Sequence, residues 1–160
     1  MGITGMNHAV LYVRDARRTA RFYQDVLDFT LLKADPDGKW AFLNAPRSDN
    51  DHDIAFFSIG DKAGPSTAGQ TVGLYHLAFE VADLDDLVAL RQRLVEAGAL
   101  VGEANHETHF SLYAKDPDGL EFELTWLVPG DQVPAGADRT ASHPLDLDAE
   151  VARLGAGGSG

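Results

Sequence analysis

Hydrophobic positions along this chain follow two periods, and the two alternate in a regular order. A period of two residues, typical of half-buried strands, occurs near 29–33, 39–45, 53–59, 99–103, 109–115 and 120–127. A helical period relates Phe22, Tyr23, Val26 and Leu27 in the first half, and Leu84, Leu87, Val88, Leu94 and Val95 in the second. The pattern therefore predicts two groups of three strands, each preceded by one amphipathic helix.

The order of these elements is part of an internal repeat. Residues 8–15 and 76–83 match in pattern at an offset of 68 positions, since each segment begins with His, alternates apolar residues and ends with an Asp that can cap a helix. The tetrapeptide Asp-Pro-Asp-Gly occurs at 35–38 and again at 116–119, where it predicts hairpin turns. Gly98 is a suitable stop for the second helix. We therefore predict an α+β chain built of two βαβββ modules.

Composition separates a globular part from a tail. We predict one domain over residues 5–127, with modules at about 5–60 and 73–127 and a linker rich in Gly, Pro, Ser and Thr at 61–72. Over 128–160 the composition shifts to Pro, Ala, Gly and Asp. This shift predicts an extended or flexible tail with at most a short helix near 146–154.

Charge and residue types narrow the chemistry. The 160 residues include no Cys, which excludes thiolate metal sites, disulfides and cysteine nucleophiles, so a bound metal would need His, Asp or Glu. Asp and Glu outnumber Lys and Arg by 25 to 13, and the formal charge of −12 disfavours nucleic acids and anionic lipid surfaces as partners. No uncharged apolar run approaches the length of a membrane helix. We therefore expect a cytoplasmic protein without a membrane partner.

Strand alternation places candidate metal ligands on one face. His8 and His76 lie opposite wholly apolar faces that would pack on the helices, so both imidazoles should point to the inner, concave side. On the last strand Glu121 and Glu123 share a face, and a buried carboxylate needs a compensating cation. A lone His at the start of a strand is more often structural than a ligand. Two histidines at equivalent repeat positions, together with an inward-facing carboxylate, favour a shared metal ion. Such a facial triad suits oxygen-activating iron(II).

The paired βαβββ units, each opening on a His, resemble the vicinal oxygen chelate superfamily over about residues 5–127. Residues 112–123 resemble the signature of its extradiol catechol dioxygenases, in which an apolar residue and Tyr precede two variable positions, then Asp-Pro, Gly and a liganding Glu. That signature also has a His a few residues upstream, where this chain has His106. Ala104 departs from it, because the family usually has Gly, Asn, Thr, Ile or Val two residues before that His.

This resemblance implies a cupped, barrel-like mixed sheet around a metal site. The implied ligands are His8, His76 and Glu123, and the implied metal is iron(II), with manganese(II) as the alternative. Glu121 is the main rival of Glu123, because an error of strand register would exchange them. The spacing from Gly119 favours Glu123.

The resemblance also implies three catalytic residues. His52 would act as an acid or base near the oxygen site, and His106 and Tyr113 would be hydrogen-bonding partners of the substrate oxygens. Simpler explanations are that His52 is a solvated loop residue and that His106 lies on the surface, with His109 active in its place. Tyr113 shares its face with polar residues, which favours a polar role over core packing.

The implied activity is extradiol cleavage of a small aromatic diol by O2. Two neutral imidazoles and one carboxylate leave iron(II) with a net charge of +1, which a catechol monoanion would neutralise. Three alternatives share the scaffold: a glyoxalase I-like lyase or isomerase, a fosfomycin-type thiol transferase, and a metal-free drug-binding protein. The lyase or isomerase needs a fourth metal ligand, which Asp53 could supply, and the thiol transferase needs a basic cluster near the metal. Because single-module relatives often pair, a homodimer is the assembly that the resemblance implies.

Overall fold

The structure, a computed structural model, describes residues 2–64, 66 and 69–156. Contacts within the chain divide it into two compact units. The first unit comprises Met1–Thr67 and Asp116–Leu120, and the second comprises Ala68–Lys115 and Glu121–Gly160. The domain and module limits predicted from composition remain predictions.

The first unit carries a four-stranded sheet and one helix. Its elements are β1 (Ala9–Val13), α1 (Ala16–Leu27), β2 (Thr30–Ala34), β3 (Trp40–Asn44) and β4 (Ile54–Ser58). The strand order is β1-β4-β3-β2, with β1 parallel to β4 and the other pairs antiparallel. Large apolar side chains that are almost fully buried form its core: Val13, Tyr23, Leu43, Ile54 and Phe56.

The second unit repeats this order of elements and adds a strand and a helix. Its elements are β5 (His76–Val81), α2 (Leu84–Glu96), β6 (Leu100–Asn105), β7 (His109–Lys115), β8 (Glu121–Leu127), β9 (His143–Pro144) and α3 (Leu147–Ala156). The strand order is β5-β8-β7-β6-β9, again with one parallel pair, β5 with β8. The α+β class and the two βαβββ modules predicted from the repeat are confirmed.

Two predicted hairpin turns form for the same local reason. In the turn 35–38 the Asp35 carboxylate accepts a hydrogen bond from the Asp37 amide at 3.0 Å. In the turn 116–119 the corresponding bond joins Asp116 and the Asp118 amide at 2.8 Å. Both turns end on a Gly with positive φ, 78° at Gly38 and 82° at Gly119, a conformation that costs Gly little.

Helices α1 and α2 each follow the predicted Asp at the N-cap position, but only Asp15 caps its helix with its side chain. Asp15 accepts hydrogen bonds from the amides of Arg17 and Arg18, whereas Asp83 occupies the N-cap position of α2 without such a bond. Helix α2 ends at Glu96, two residues before Gly98, whose φ is 64°. The predicted stop signal is therefore confirmed.

Part of the segment 128–160 is ordered against the second sheet. Strand β9 pairs with β6 through Asn105 and His143, and the helix predicted near 146–154 is present as α3, where Leu147 is buried. Residues 157–160 of the predicted tail lie outside the described residues. Within the described ranges, no helix is long and apolar enough to cross a membrane.

Candidate functional site

Glu123 is held at one oxygen and leaves the other oriented toward a histidine. It lies on β8, is 8% exposed, and pairs across the sheet with Tyr113 of β7. The hydroxyls of Ser111 and Thr125 donate to its Oε1 at 2.5 and 2.9 Å. The same two hydroxyls are 2.8 Å from each other. Because Oε1 is bound in this way, Oε2 remains the available acceptor.

His76 faces that available oxygen. Its Nε2 lies 3.1 Å from Glu123 Oε2, since β5 and β8 run parallel and bring the two side chains to the same face. Its Nδ1 is buried without a hydrogen-bond partner in the described part of the chain, and Glu121 Oε1 is 3.9 Å away. Glu123, and not its rival Glu121, is thus the carboxylate that meets His76 Nε2 closely.

This pair passes a simple test of fit to a divalent ion. Imidazole and carboxylate ligands bind such ions at about 2.0 to 2.2 Å, so two adjacent ligand atoms should be about 3 Å apart. The His76 Nε2 to Glu123 Oε2 distance of 3.1 Å meets this expectation, and it is also the distance of a hydrogen-bonded ion pair between the two groups. Metal-bound His usually donates its second ring N–H to a carboxylate, carbonyl or water. Glu121 is the nearest such carboxylate to His76 Nδ1, although 3.9 Å exceeds a hydrogen bond.

A second polar group lies beside Glu123 in the same unit. His106 Nε2 is 3.0 Å from the Tyr113 hydroxyl, and His106 Nδ1 is 2.7 Å from the carbonyl oxygen of Ala141. The ring of His109 stacks on that of His106, with centroids 4.5 Å apart and an interplanar angle of 20°. His106 is therefore part of a hydrogen-bonded network and is only partly exposed.

His106, His109 and Glu123 also form a cluster that could hold a metal ion, because they offer ligand atoms within 4.8 Å of one another. The sequence pattern predicts His109 as an alternative catalytic residue and does not indicate it as a metal ligand. The sequence does contain a signal that His109 belongs to this site, because strand alternation on β7 puts His109 on the face of Ser111 and Tyr113.

Burial and neighbouring groups shift three pKa values in this site. Burial acts to raise the pKa of Glu123, but the hydrogen bonds from Ser111 and Thr125 and the charges of His76 and His109 together lower it. Burial and the negative charge of Glu123 raise the pKa of Tyr113. Burial and the positive charge of His106 lower the pKa of His109, against the opposing effect of Glu123. Near neutral pH, Glu123 is therefore a carboxylate and Tyr113 a phenol.

The first unit brings His8 and His52 together. Their ring centroids are 4.3 Å apart, and Phe42 packs edge-on against His52 at 5.1 Å. The His52 side chain is 16% exposed, so this histidine is not a solvated loop residue. His8 Nδ1 lies 2.7 Å from the Asn7 side-chain oxygen.

Asp53, the alternative fourth ligand, is committed to the loop before β4. Its Oδ1 accepts hydrogen bonds from Ser48 and Asn50 at 2.9 and 3.0 Å, and its Oδ2 accepts from the Ala45 amide at 2.8 Å. These bonds order the segment that carries His52, and they occupy both carboxylate oxygens.

Two proteins of known name are similar to this chain in sequence. The chain is 32% identical over 142 residues to an iron-dependent extradiol dioxygenase of Rhodococcus jostii (strain RHA1), covering 77% of this chain and 43% of the relative. It is 30% identical over 125 residues to the glutathione transferase FosA of Serratia marcescens, covering 76% of this chain and 80% of the relative. The chain thus spans less than half the length of that dioxygenase.

A solved structure and a family model agree with these relatives. The crystal structure of a glyoxylase/bleomycin resistance protein/dioxygenase domain from Frankia sp. EAN1pec matches with a TM-score of 0.68 and 26% identity, covering 81% of this chain and 96% of that one. The model of the Glyoxalase/Bleomycin resistance protein/Dioxygenase superfamily matches residues 5–124, which include the repeat and Glu123. The chain therefore belongs to the Glyoxalase/Bleomycin resistance protein/Dioxygenase superfamily.

Proposed function

We propose that this protein is an extradiol dioxygenase that cleaves a catechol-type aromatic diol with O2, and that His8, His76 and Glu123 hold its iron(II). The observation that carries the proposal is the 3.1 Å approach of His76 Nε2 to Glu123 Oε2, beside the hydrogen-bonded pair of His106 and Tyr113. Manganese(II) is the alternative metal, because it accepts the same ligands. The similarity to an iron-dependent extradiol dioxygenase supports this activity.

The protein's own side chains would bind and orient the diol. A divalent ion bound by two neutral imidazoles and one carboxylate would supply positive charge that stabilises the ionised diol. Tyr113 would hydrogen-bond a substrate oxygen directly, because it lies next to Glu123. His106, for which the same role is predicted from the resemblance, would act through Tyr113, because its two ring nitrogens already contact Tyr113 and Ala141. His52 would act as the proton donor or acceptor, because it adjoins His8 without being one of the proposed ligands.

A thiol transferase is the second candidate. The observation in its favour is the similarity to the Serratia marcescens glutathione transferase, of which the chain covers 80%. A glyoxalase-like lyase receives less support, because both oxygens of Asp53, its proposed fourth ligand, already accept hydrogen bonds from the loop.

Anaerobic loading with iron(II), followed by 4-methylcatechol or 2,3-dihydroxybiphenyl in air, tests the proposal. We expect a yellow ring-fission product. Absence of that product, together with manganese-dependent addition of a thiol to an epoxide, would favour the transferase. Turnover of the methylglyoxal–glutathione adduct would favour the lyase.

Iron stoichiometry in matched variants tests the ligand set. Glu123→Gln should lose iron, whereas Glu121→Gln, the same change two residues earlier on β8, should keep it. His8→Ala should also lose iron, whereas His109→Ala should retain it. The opposite result for the last two variants would assign the metal to the cluster of His106, His109 and Glu123.

The remaining parts of the proposal are a homodimeric assembly and a cytoplasmic location. Sedimentation velocity on the full chain measures the first, and fractionation of the source cells measures the second.

A further inference from the structure

We propose that the C-terminal segment Asp138–Pro144 is a positioning element, which holds the His106 ring in one tautomer so that the ring accepts the proton of the Tyr113 hydroxyl. Its catalytic consequence rests on the function proposed above, but the tautomer itself does not.

Hydrogen-bond chemistry determines the direction of both contacts of His106. A carbonyl oxygen can only accept, so the 2.7 Å contact with Ala141 O requires the hydrogen to be on His106 Nδ1. In a neutral imidazole the other nitrogen then carries a lone pair. Nε2 is therefore the acceptor in the 3.0 Å contact with Tyr113, and the phenol is the donor.

Several contacts hold Ala141 in place. The Glu107 carboxylate accepts a hydrogen bond from the Asp138 amide at 2.7 Å and lies 3.1 Å from His143 Nε2. Glu107 thus contacts the segment on both sides of Ala141. Strand β9 pairs with β6 beside His106, since His143 is the partner of Asn105. The Asn105 side chain also donates to Glu150 of α3 at 3.0 Å.

This arrangement gives Tyr113 a defined role. Two acceptors, His106 Nε2 and the Glu123 carboxylate, lie beside the single proton of Tyr113. When that proton is donated to His106, the oxygen lone pairs of Tyr113 remain to accept a hydrogen bond from a substrate hydroxyl. A diol proton could then move to the Tyr113 oxygen while the tyrosine proton moves to His106 Nε2. The diol would become a monoanion and His106 an imidazolium still bound to Ala141, so protons and charge balance. The opposite tautomer would present an N–H to Tyr113 and could not accept that proton.

Long-range 1H–15N correlation spectra of the full chain, labelled with 15N, measure this tautomer directly. Spectra are recorded at a pH where His106 is neutral, with and without zinc as a diamagnetic ion. We expect Nδ1 to be protonated and Nε2 to be bare in the wild type. In water a neutral histidine prefers the opposite tautomer, so release of the segment should move His106 toward Nε2–H.

The Glu107→Ala/His143→Ala double variant removes both side-chain anchors of the segment. Glu103→Ala is the matched control, because it removes a carboxylate of β6 whose two hydrogen bonds go to Arg91 of α2. The single variant Glu107→Gln should give a spectrum closer to the wild type than the double variant does, because its amide oxygen can still accept the hydrogen bond from the Asp138 amide. Thermal melts confirm that each variant is folded.

We expect the double variant to shift the tautomer, keep its iron affinity, and lose about 10-fold or more in kcat for ring cleavage. The control should retain the wild-type tautomer and kcat. Wild-type His106 protonated at Nε2, or a double variant with an unchanged tautomer, would overturn the proposal. A tautomer that depends on the segment in a protein that cleaves no catechol would support it and contradict only the proposed function.

Discussion

Each oxygen of Glu123 has a different partner, and this division depends on two hydroxyls. Ser111 is fully buried, and its hydroxyl and that of Thr125 both lie within hydrogen-bond distance of Oε1. Oriented groups behind a metal ligand typically contribute 10-fold to 100-fold in metal affinity. The two hydroxyls therefore act on the proposed metal site through the orientation of Glu123.

Ser111→Ala and Thr125→Val should each lower iron(II) affinity by roughly 10-fold to 100-fold, because each leaves Glu123 free to rotate away from His76. Valine has the shape of threonine, so the second variant removes only the hydroxyl. Competition with a chromophoric chelator measures the affinity.

Ser58→Ala is the control for these two variants. Ser58 also makes two hydrogen bonds, to Ala16 and Gly38, but it lies in the first unit. The Ser58→Ala variant should be less stable than the wild type and should keep the wild-type iron affinity. Unchanged affinity in the Ser111 and Thr125 variants would show that the hydroxyls only stabilise the sheet.

At the scale of elements, helix α1 depends on a single residue at its start. Asp15 satisfies two amides of the first turn, and helix N-caps of this kind contribute about 1 kcal/mol. Asp15→Ala should lower the free energy of unfolding by about 1 kcal/mol, and Asp15→Ser should restore most of it. Urea denaturation measures both, and equal stabilities for the two variants would contradict a capping role.

The attachment of the C-terminal segment should depend on pH. Two contacts lower the pKa of Glu107 below its ordinary value of 4.5. The hydrogen bond from the Asp138 backbone has the larger effect, and the contact with His143 has the smaller one. A lowered pKa in the folded state means that this contact is complete above pH 4.5 and is lost only as the pH falls through the lower folded value.

Hydrogen exchange of the β9 and α3 amides at pH 7 and near pH 3 tests this dependence. Protection of these amides should fall at the lower pH before that of β7 and β8. In Glu107→Gln the protection should change less with pH, because the titrating group is absent. If amide protection is lost in all strands at the same pH, the segment unfolds only together with the sheet.

At the scale of the whole molecule, a bound metal should stabilise the fold by linkage. An ion at 100 times its Kd adds about 2.7 kcal/mol to the free energy of unfolding. For a chain of this length that corresponds to an increase of roughly 5 to 10 °C in Tm. Calorimetry should detect this increase in the wild type and not in Glu123→Gln.

Hydrogen exchange with and without metal then distinguishes the two ligand sets. If His8 is a ligand, metal should protect strands of both units, and His8→Ala should abolish the effect. Protection limited to the second unit, with loss on His109→Ala, would assign the ion to the cluster of His106, His109 and Glu123.

Much of this fold was predictable from the sequence because its signals are local. Alternation located β7 at 109–115, the observed bounds, and Asp-Pro-Asp-Gly predicted both turns. The duplicated His and Asp positions identified the two βαβββ modules. These features follow from side-chain direction and turn chemistry over a few residues, which a pattern records directly. Strand alternation likewise put Tyr113 on the face of Ser111 in β7 and Glu123 on the face of Thr125 in β8, whereas the pairing of Tyr113 with Glu123 depends on the register of the two strands.

Other features depended on contacts between residues distant in sequence. The pattern could not divide the oxygens of Glu123 between two hydroxyls and His76, nor show that Asp53 accepts three loop hydrogen bonds. It also did not reveal that Ala141 contacts His106, 35 positions earlier, because a backbone carbonyl has no residue-specific signal. Sequence alone determined which residues share a face, since that is local geometry. Tertiary structure decided which atoms meet, since that depends on how strands pair and where a remote segment packs.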